Sequence, residues 1–253
     1  MKLTGSSAVV TGAASGLGAA TVVELAGSGV SVVGVDLADA WERAPAPPAG
    51  VTPASADVTS PEDVQAAVDV AAAAGPLRIA VNCAGIGTAG RILSRSGVHD
   101  LDLFGRVIGV NLVGTFNVLR LAAAAMAGTE PIGPDGQRGL IVNTASVAAF
   151  DGQIGQAAYA ASKGGVVGLT LPAARDLAQY GIRVVTIAPG IMETPMLAGV
   201  TEEFRAALAA GVPHPSRLGR PDEYARLVLA IAGLDYLNGE VIRLDGALRM
   251  PPR

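Results

Sequence analysis

Ser146, Tyr159 and Lys163 are the residues of this 253-residue chain whose types and spacing point most directly to proton transfer. Tyr159 and Lys163 are four apart, so on a helix they share one face; Ser146 lies just past an apolar run, Leu140 to Asn143, that reads as a strand. A phenol titrates at about pH 10 and is a poor proton acceptor at neutrality. A neighbouring ammonium favours the phenolate and is expected to bring Tyr159 towards the working range. In isolation, a Y-x-x-x-K spacing more often describes a tyrosine packed on a core beside a solvated lysine. Two further features of the chain change that balance.

The first is Thr11-Gly12-Ala13-Ala14-Ser15-Gly16-Leu17-Gly18, which follows the apolar run Ala8-Val9-Val10, with helical spacing resuming at Leu17. Glycines at such a junction let backbone N–H groups and a helix N-terminus approach a pyrophosphate closely. The G-x-x-x-G-x-G spacing departs from the usual G-x-G-x-x-G fingerprint, and alone it competes with a plain βα turn. The second is Asp36, which ends the run Val30 to Val35 and lies 18 residues beyond Gly18. A carboxylate there can accept hydrogen bonds from the adenosine ribose hydroxyls. It would repel a 2′-phosphate, since two like charges at about 4 Å cost about 4 kcal/mol at an effective dielectric of about 20. NAD is therefore favoured over NADP, and the nearest base, Arg43, is seven residues further on. The competing reading of Asp36 is a helix or turn cap. Asp57-Val58 and Asn82-Cys83-Ala84-Gly85 also follow candidate strands, at the edge where an open α/β sheet binds its ligand.

These residues need a sheet to hold them. Ala8 to Val10, Val30 to Val35, Ile79 to Val81, Leu140 to Val142, Ile182 to Ile187 and Val241-Ile242 are apolar without alternation, as strands buried on both faces are. The intervening segments are long enough for crossover helices. Ser60-Pro61-Glu62-Asp63 offers an N-cap, a proline at the first helical position and an acid two residues on, and Gly75 closes that helix. The expected fold class is α/β: a single-domain, Rossmann-like, doubly wound parallel sheet with helices on both faces. One domain over 1–253 would bind a dinucleotide with its N-terminal half and carry catalytic and substrate residues in its C-terminal half. Two segments read as loops, the Pro-rich Ala38 to Ser55 and the polar Gly128 to Gly139. Pro172 falls inside a helical pattern from Tyr159 to Leu177 and is expected to kink it.

Composition narrows the class. Half the residues are hydrophobic and 16% are charged, which excludes intrinsic disorder. A net charge of -4 and a pI of about 5.2 argue against a nucleic-acid partner, whose affinity rests on Lys and Arg. The mean hydropathy is +0.45, yet the best spanning candidate, Val107 to Ala127, is interrupted by Asn111, Asn117 and Arg120, so no membrane segment is expected. The first residues lead into an apolar stretch too short for a signal-peptide core, and the one cysteine, Cys83, fits a reducing compartment. Both point to a cytoplasmic protein. The two histidines, His99 and His214, have no partners at metal or triad spacing, so no metal is expected; both read as surface or loop residues, with His214 a candidate for substrate contact. Trp41 fits either an adenine pocket or a loop anchor.

Taken together the chain resembles the short-chain dehydrogenase/reductase family over nearly its whole length. The marks occur in order: Gly12, Gly16 and Gly18; Asp57; Asn82-Cys83-Ala84-Gly85 in place of Asn-Asn-Ala-Gly; Asn111; Ser146; Tyr159 and Lys163; Pro189-Gly190 and Thr194. The resemblance implies that Tyr159 is the acid/base and that Ser146 steadies the substrate oxygen. It implies that Lys163 binds the nicotinamide ribose while lowering the Tyr159 pKa, and that Asn111 holds the water of a relay to Lys163. It places Ser15, Leu17, Val58, Cys83, Ala84, Gly85 and Ile191 with the glycines, Asp36, Asp57, Pro189, Gly190 and Thr194 around NAD.

Longer runs, Asn143 to Phe150, Gly155 to Tyr159, Pro213 to Gly219 and Leu237 to Gly246, are similar to the branch of type 2 3-hydroxyacyl-CoA dehydrogenases. That likeness implies interconversion of 3-hydroxyacyl-CoA and 3-oxoacyl-CoA, with a hydroxysteroid or other secondary-alcohol dehydrogenase as the near alternative and a non-catalytic NAD-binding scaffold as the distant one. It would put the loop Gly128 to Gly139 and the stretch Met192 to Val212 at the substrate entrance. It further implies a homotetramer, paired through the helices Asn111 to Ala127 and Tyr159 to Leu177 and the C-terminal strand. Those helices carry apolar residues around much of their circumference, which supports a covered outer face.

Overall fold

Parallel strands need long crossovers, and the segments between the apolar runs supply them. The computed structural model describes residues 1, 3–95, 97–197, 199 and 201–252. The chain begins β1 (Ser7–Thr11), α1 (Gly16–Gly27), β2 (Ser31–Asp36), α2 (Ala38–Arg43), β3 (Val51–Ser55), α3 (Pro61–Ala74) and β4 (Leu77–Asn82). A hairpin of β5 (Leu93–Ser94) and β6 (Gly97–Val98) follows, then α4 (Leu101–Ile108), a π-helical segment (Gly109–Gly114), α5 (Thr115–Ala127) and β7 (Gly139–Thr144). The last third holds α6 (Ala157–Leu177), β8 (Ile182–Pro189), α7 (Glu202–Ala210), α8 (Pro221–Gly233) and β9 (Val241–Leu244).

The seven-stranded sheet has the order β3-β2-β1-β4-β7-β8-β9, with every neighbouring pair parallel. Every residue of β1, β4, β7 and β8 is buried, which is why these strands show no alternation. One face packs Val9, Val33, Ile141 and Val184 against Val64, Val118 and Met126 of α3 and α5. The other packs Val10, Ile79, Val142 and Ile187 against Leu25 of α1 and Tyr224 and Ile231 of α8. Strand order reverses between β1 and β4, so a crevice opens there at the carboxyl edge. The helix expected after Ser60 starts as read: Ser60 Oγ accepts the Asp63 N–H at 3.2 Å, with Pro61 first in the helix.

Two expectations need correction. Ala38 to Ser55 is not a plain loop but contains α2 and the edge strand β3. β3 is half-exposed and carries Pro53, so it lacks the apolar run that marks a buried strand. The loop Gly128 to Gly139 lies at the sheet's amino edge, away from any substrate entrance, because it links the end of α5 to the first residue of β7. There Arg78 at the start of β4 donates to Thr129 Oγ1, Glu130 O and Arg138 O, and Arg138 N donates to Gly181 O just before β8. Leu101 to Ala127 forms a helical run of 27 residues that by length and composition alone could span a bilayer. It is a core helix of this fold, packed on β4 and β7 with Asn111, Thr115 and Asn117 buried against protein. The 21-residue α6 stays helical through Pro172.

Candidate active site

The glycine loop bridges β1 and α1 at the reversal point. Gly12 has φ +67°, and a Cβ there would stand 2.9 Å from Ala84 N. A Cβ on Gly18 would overlap the Gly12 carbonyl, so the first turn of α1 packs directly on the end of β1. Ser15 is the N-cap of α1 but makes no side-chain cap bond, leaving first-turn N–H groups to an outside anion. Thr11 Oγ1 accepts from both Cys83 N and Ala84 N at 3.1 Å, which ties the end of β4 to the loop. The loop and helix end thus form a cradle that fits a dinucleotide.

Around that cradle, Asp36 Oδ2 accepts from Ala14 N at 3.0 Å and Oδ1 from Leu37 N at 2.9 Å. Asp57 Oδ1 accepts from Thr59 N and Oγ1, both at 2.8 Å, shaping the turn before α3. Val58 is buried against Gly114, and its carbonyl accepts from Asn117 Nδ2 at 2.9 Å. Gly190 N donates to Leu244 O, and Ile191 O accepts from Gly219 N at 3.0 Å. Thr194 Cγ2 stands 3.3 Å from where a Gly16 Cβ would be, so the segment after β8 reaches over the glycine loop. That segment opens the stretch Met192 to Val212, which leaves from the carboxyl edge; its Ala198 and Val200 lie outside the described residues.

The three chemical residues converge at the ends of β7 and α6. Ser146 caps a short turn with its Oγ accepting Ala148 N at 3.1 Å. Tyr159, in the first turn of α6, turns its phenol to the Ser146 hydroxyl. Desolvation raises the Tyr159 pKa, and the Ser146 hydrogen bond counters it. Lys163 is 5% exposed, and its Nζ donates to Thr144 O at 2.8 Å. Burial lowers its pKa from 10.5 to about 8. The expected depression of the Tyr159 pKa by Lys163 is not what this geometry gives. The ammonium sits 5.8 Å from the ring centroid and is spent on the Thr144 carbonyl, while desolvation of the phenol prevails.

Asn111 lies in the π-helical segment, a distortion common at functional sites. Its Oδ1 accepts Ile86 N at 2.8 Å, and its Nδ2 donates to Ile86 O at 2.9 Å and Ser162 Oγ at 3.0 Å. The side chain therefore fixes the loop after β4, with both amide hydrogens engaged and one lone pair of Oδ1 still open. Gly85 is kept small by Asn111 Oδ1 and Lys163 Nζ, 3.1 and 3.5 Å from its would-be Cβ. Cys83 Sγ is 3.7 Å from Tyr224 Oη, and burial pushes the thiol pKa up.

Sequence reasoning missed Thr144, Ser162 and Tyr224, whose roles depend on contacts distant in the chain. Thr11 carried a signal, a hydroxyl closing an otherwise apolar run. Trp41 packs on Gly34 and donates from Nε1 to Ala54 O at 3.1 Å, which makes it the anchor of α2. His99 contacts the Asp100 carbonyl and the edge of Phe104, and His214 is exposed.

Comparison with known proteins agrees with this geometry. Residues 6–204 match the family described as short chain dehydrogenase. The chain is similar to 3-hydroxyacyl-CoA dehydrogenase type-2 of Bos taurus, 56% identical over 250 residues, covering 97% of this chain and 95% of that one. The protein of the same name from Drosophila melanogaster is 55% identical over 249 residues, covering 96% and 97%. Among solved structures, 3-hydroxyacyl-CoA dehydrogenase type-2 from Mycobacterium avium superposes with a TM-score of 0.92 at 47% identity, covering 98% of each chain. With one family matched from β1 into α7, and relatives aligned over nearly their whole length, the chain belongs to the short-chain dehydrogenases.

Proposed function

We propose that this enzyme interconverts 3-hydroxyacyl-CoA and 3-oxoacyl-CoA with NAD. The observation that carries the reading is the meeting of Ser146, Tyr159 and Lys163 beside a dinucleotide cradle at the strand-order reversal. The names of the similar proteins supply the substrate class. When bound, NAD supplies the hydride acceptor or donor at its nicotinamide ring.

Gly12, Gly16, Gly18 and the N-terminus of α1 would hold the pyrophosphate, and Asp36 the adenosine ribose. Ser146 Oγ would hydrogen-bond the substrate oxygen. In the oxidative direction Tyr159 Oη takes the hydroxyl proton, and in reduction it returns a proton to the carbonyl oxygen. Lys163 Nζ, held on the Thr144 carbonyl by one of its three donors, would offer the others to the nicotinamide ribose. The backbone carbonyl of Asn111 takes one bond, from Thr115 Oγ1 at 2.8 Å, and its second lone pair serves a relay water.

The test is NADH oxidation with acetoacetyl-CoA, run beside NADPH, a steroid ketone and short ketones. Turnover of the thioester well above the others is expected. Preference for a steroid or a short ketone would replace the substrate class, and no turnover with any of them would leave a binding scaffold. We further propose a homotetramer, because Val113, Phe116 and Leu171 are 53%, 47% and 44% exposed on the helical run and α6. A monomer by light scattering at micromolar concentration would refute it.

A further inference from the structure

Tyr224 is 0% exposed in the apolar layer between α8 and the sheet, a position phenylalanine would fill equally well. A hydroxyl buried there needs a partner to offset its desolvation. The partner is Thr144: Tyr224 Oη and Thr144 Oγ1 are 2.7 Å apart, and Cys83 Sγ lies 3.7 Å from the same phenol oxygen. Thr144 is the last residue of β7, and its carbonyl is the acceptor of Lys163 Nζ at 2.8 Å. Ser146 follows two residues later. One residue thus faces Tyr224 with its side chain and Lys163 with its backbone.

The start of α8 is itself pinned. Arg217 donates to both carboxylate oxygens of Glu223 at 2.8 Å, and Glu223 Oε2 accepts Arg220 N at 2.8 Å. The phenol is therefore held from a firmly placed helix end, and it holds a strand end.

We propose that Tyr224 is a positioning residue for catalysis: its hydrogen bond to the Thr144 hydroxyl fixes the strand end whose carbonyl anchors Lys163. This rests on the role given to Lys163 above. The titratable groups turned towards Lys163 are Tyr159 from its own helix, Cys83 from the end of β4 and, behind Thr144, Tyr224 from α8. Loosening the carbonyl removes an acceptor from the ammonium and favours its neutral form.

The experiment compares wild type, K163M, Y224F, T144V and the double variant Y224F/T144V, with acetoacetyl-CoA and NADH over a pH series. K163M turning over like wild type would overturn the role of Lys163 and this inference with it. With K163M inactive, Y224F and T144V decide. Each is expected to lower kcat about tenfold while KM for NADH changes less than about twofold. The alkaline limb of kcat should move to lower pH in both, and the double variant should be no worse than either single. An unmoved limb, or single losses that multiply in the double variant, would show that Tyr224 serves packing alone. If Y224F fails to fold, the limb position in T144V decides by the same criterion.

Discussion

The carboxylate of Asp36 and the backbone N–H of Ala14 are joined at 3.0 Å, so the end of β2 braces the glycine loop that begins α1. The second oxygen of Asp36 accepts Leu37 N, which leaves the carboxylate held at the crevice mouth by two backbone donors. A charge fixed in this way cannot swing aside to admit a second anion.

That geometry predicts discrimination between cofactors. Like charges at about 4 Å cost about 4 kcal/mol at an effective dielectric of about 20, and screening at a half-exposed site reduces this. We expect kcat/KM for NADH to exceed that for NADPH on the order of a hundredfold. In D36S the gap should shrink from the NADPH side, since the repulsion is gone while a hydroxyl can still meet Ala14 N. Equal kcat/KM values in the wild type would sink the assignment.

Tyr159→Phe deletes one hydroxyl and little volume. If Oη carries the proton, turnover should fall on the order of a thousandfold, within the range of general acid–base contributions. NADH should still raise the melting temperature, because the glycine loop and Asp36 are untouched. Wild-type rates in the variant would mean that the proton comes from another group.

The parts legible in the sequence are those whose geometry is local. Tyr159 and Lys163 share a helix face because they are four apart, and Gly12, Gly16 and Gly18 lie within seven residues of chain. The sheet class follows from apolar runs without alternation, and β3 escapes because an edge strand with Pro53 has no such run. The placement of Gly128 to Gly139 fails on a rule of topology: any link from a helix to the next parallel strand returns to the amino edge. Thr144 and Tyr224 are 80 residues apart, and nothing in spacing joins them. Spacing misleads on the pKa of Tyr159 because it reports the lysine beside the phenol but not the desolvation around it.

The same desolvation makes Lys163 a cost to the fold, with a sign that can be measured. Its pKa is about 8 in the folded chain against 10.5 when solvated. Below pH 8 both states hold the proton, and the folded state bears the full burial penalty. Between the two values the unfolded chain holds more protons than the folded one, so stability from this group rises with pH. A gap of about 2.5 pH units corresponds to about 3 kcal/mol at full development. Lys163→Met removes this titration while leaving the Thr144 carbonyl without its donor. The wild type, without cofactor, should therefore gain melting temperature on the variant as pH is raised from about 7.5 to about 10. Ionisation of the buried Tyr159, Tyr224 and Cys83 opposes stability in the alkaline range in both proteins. The Lys163 ammonium lowers the Cys83 pKa, so its loss pushes the thiol further up and adds to the variant's alkaline loss, in the same direction as the predicted difference. A difference that stays flat across this range would mean that Lys163 keeps an ordinary pKa, solvated in the free enzyme rather than buried on Thr144.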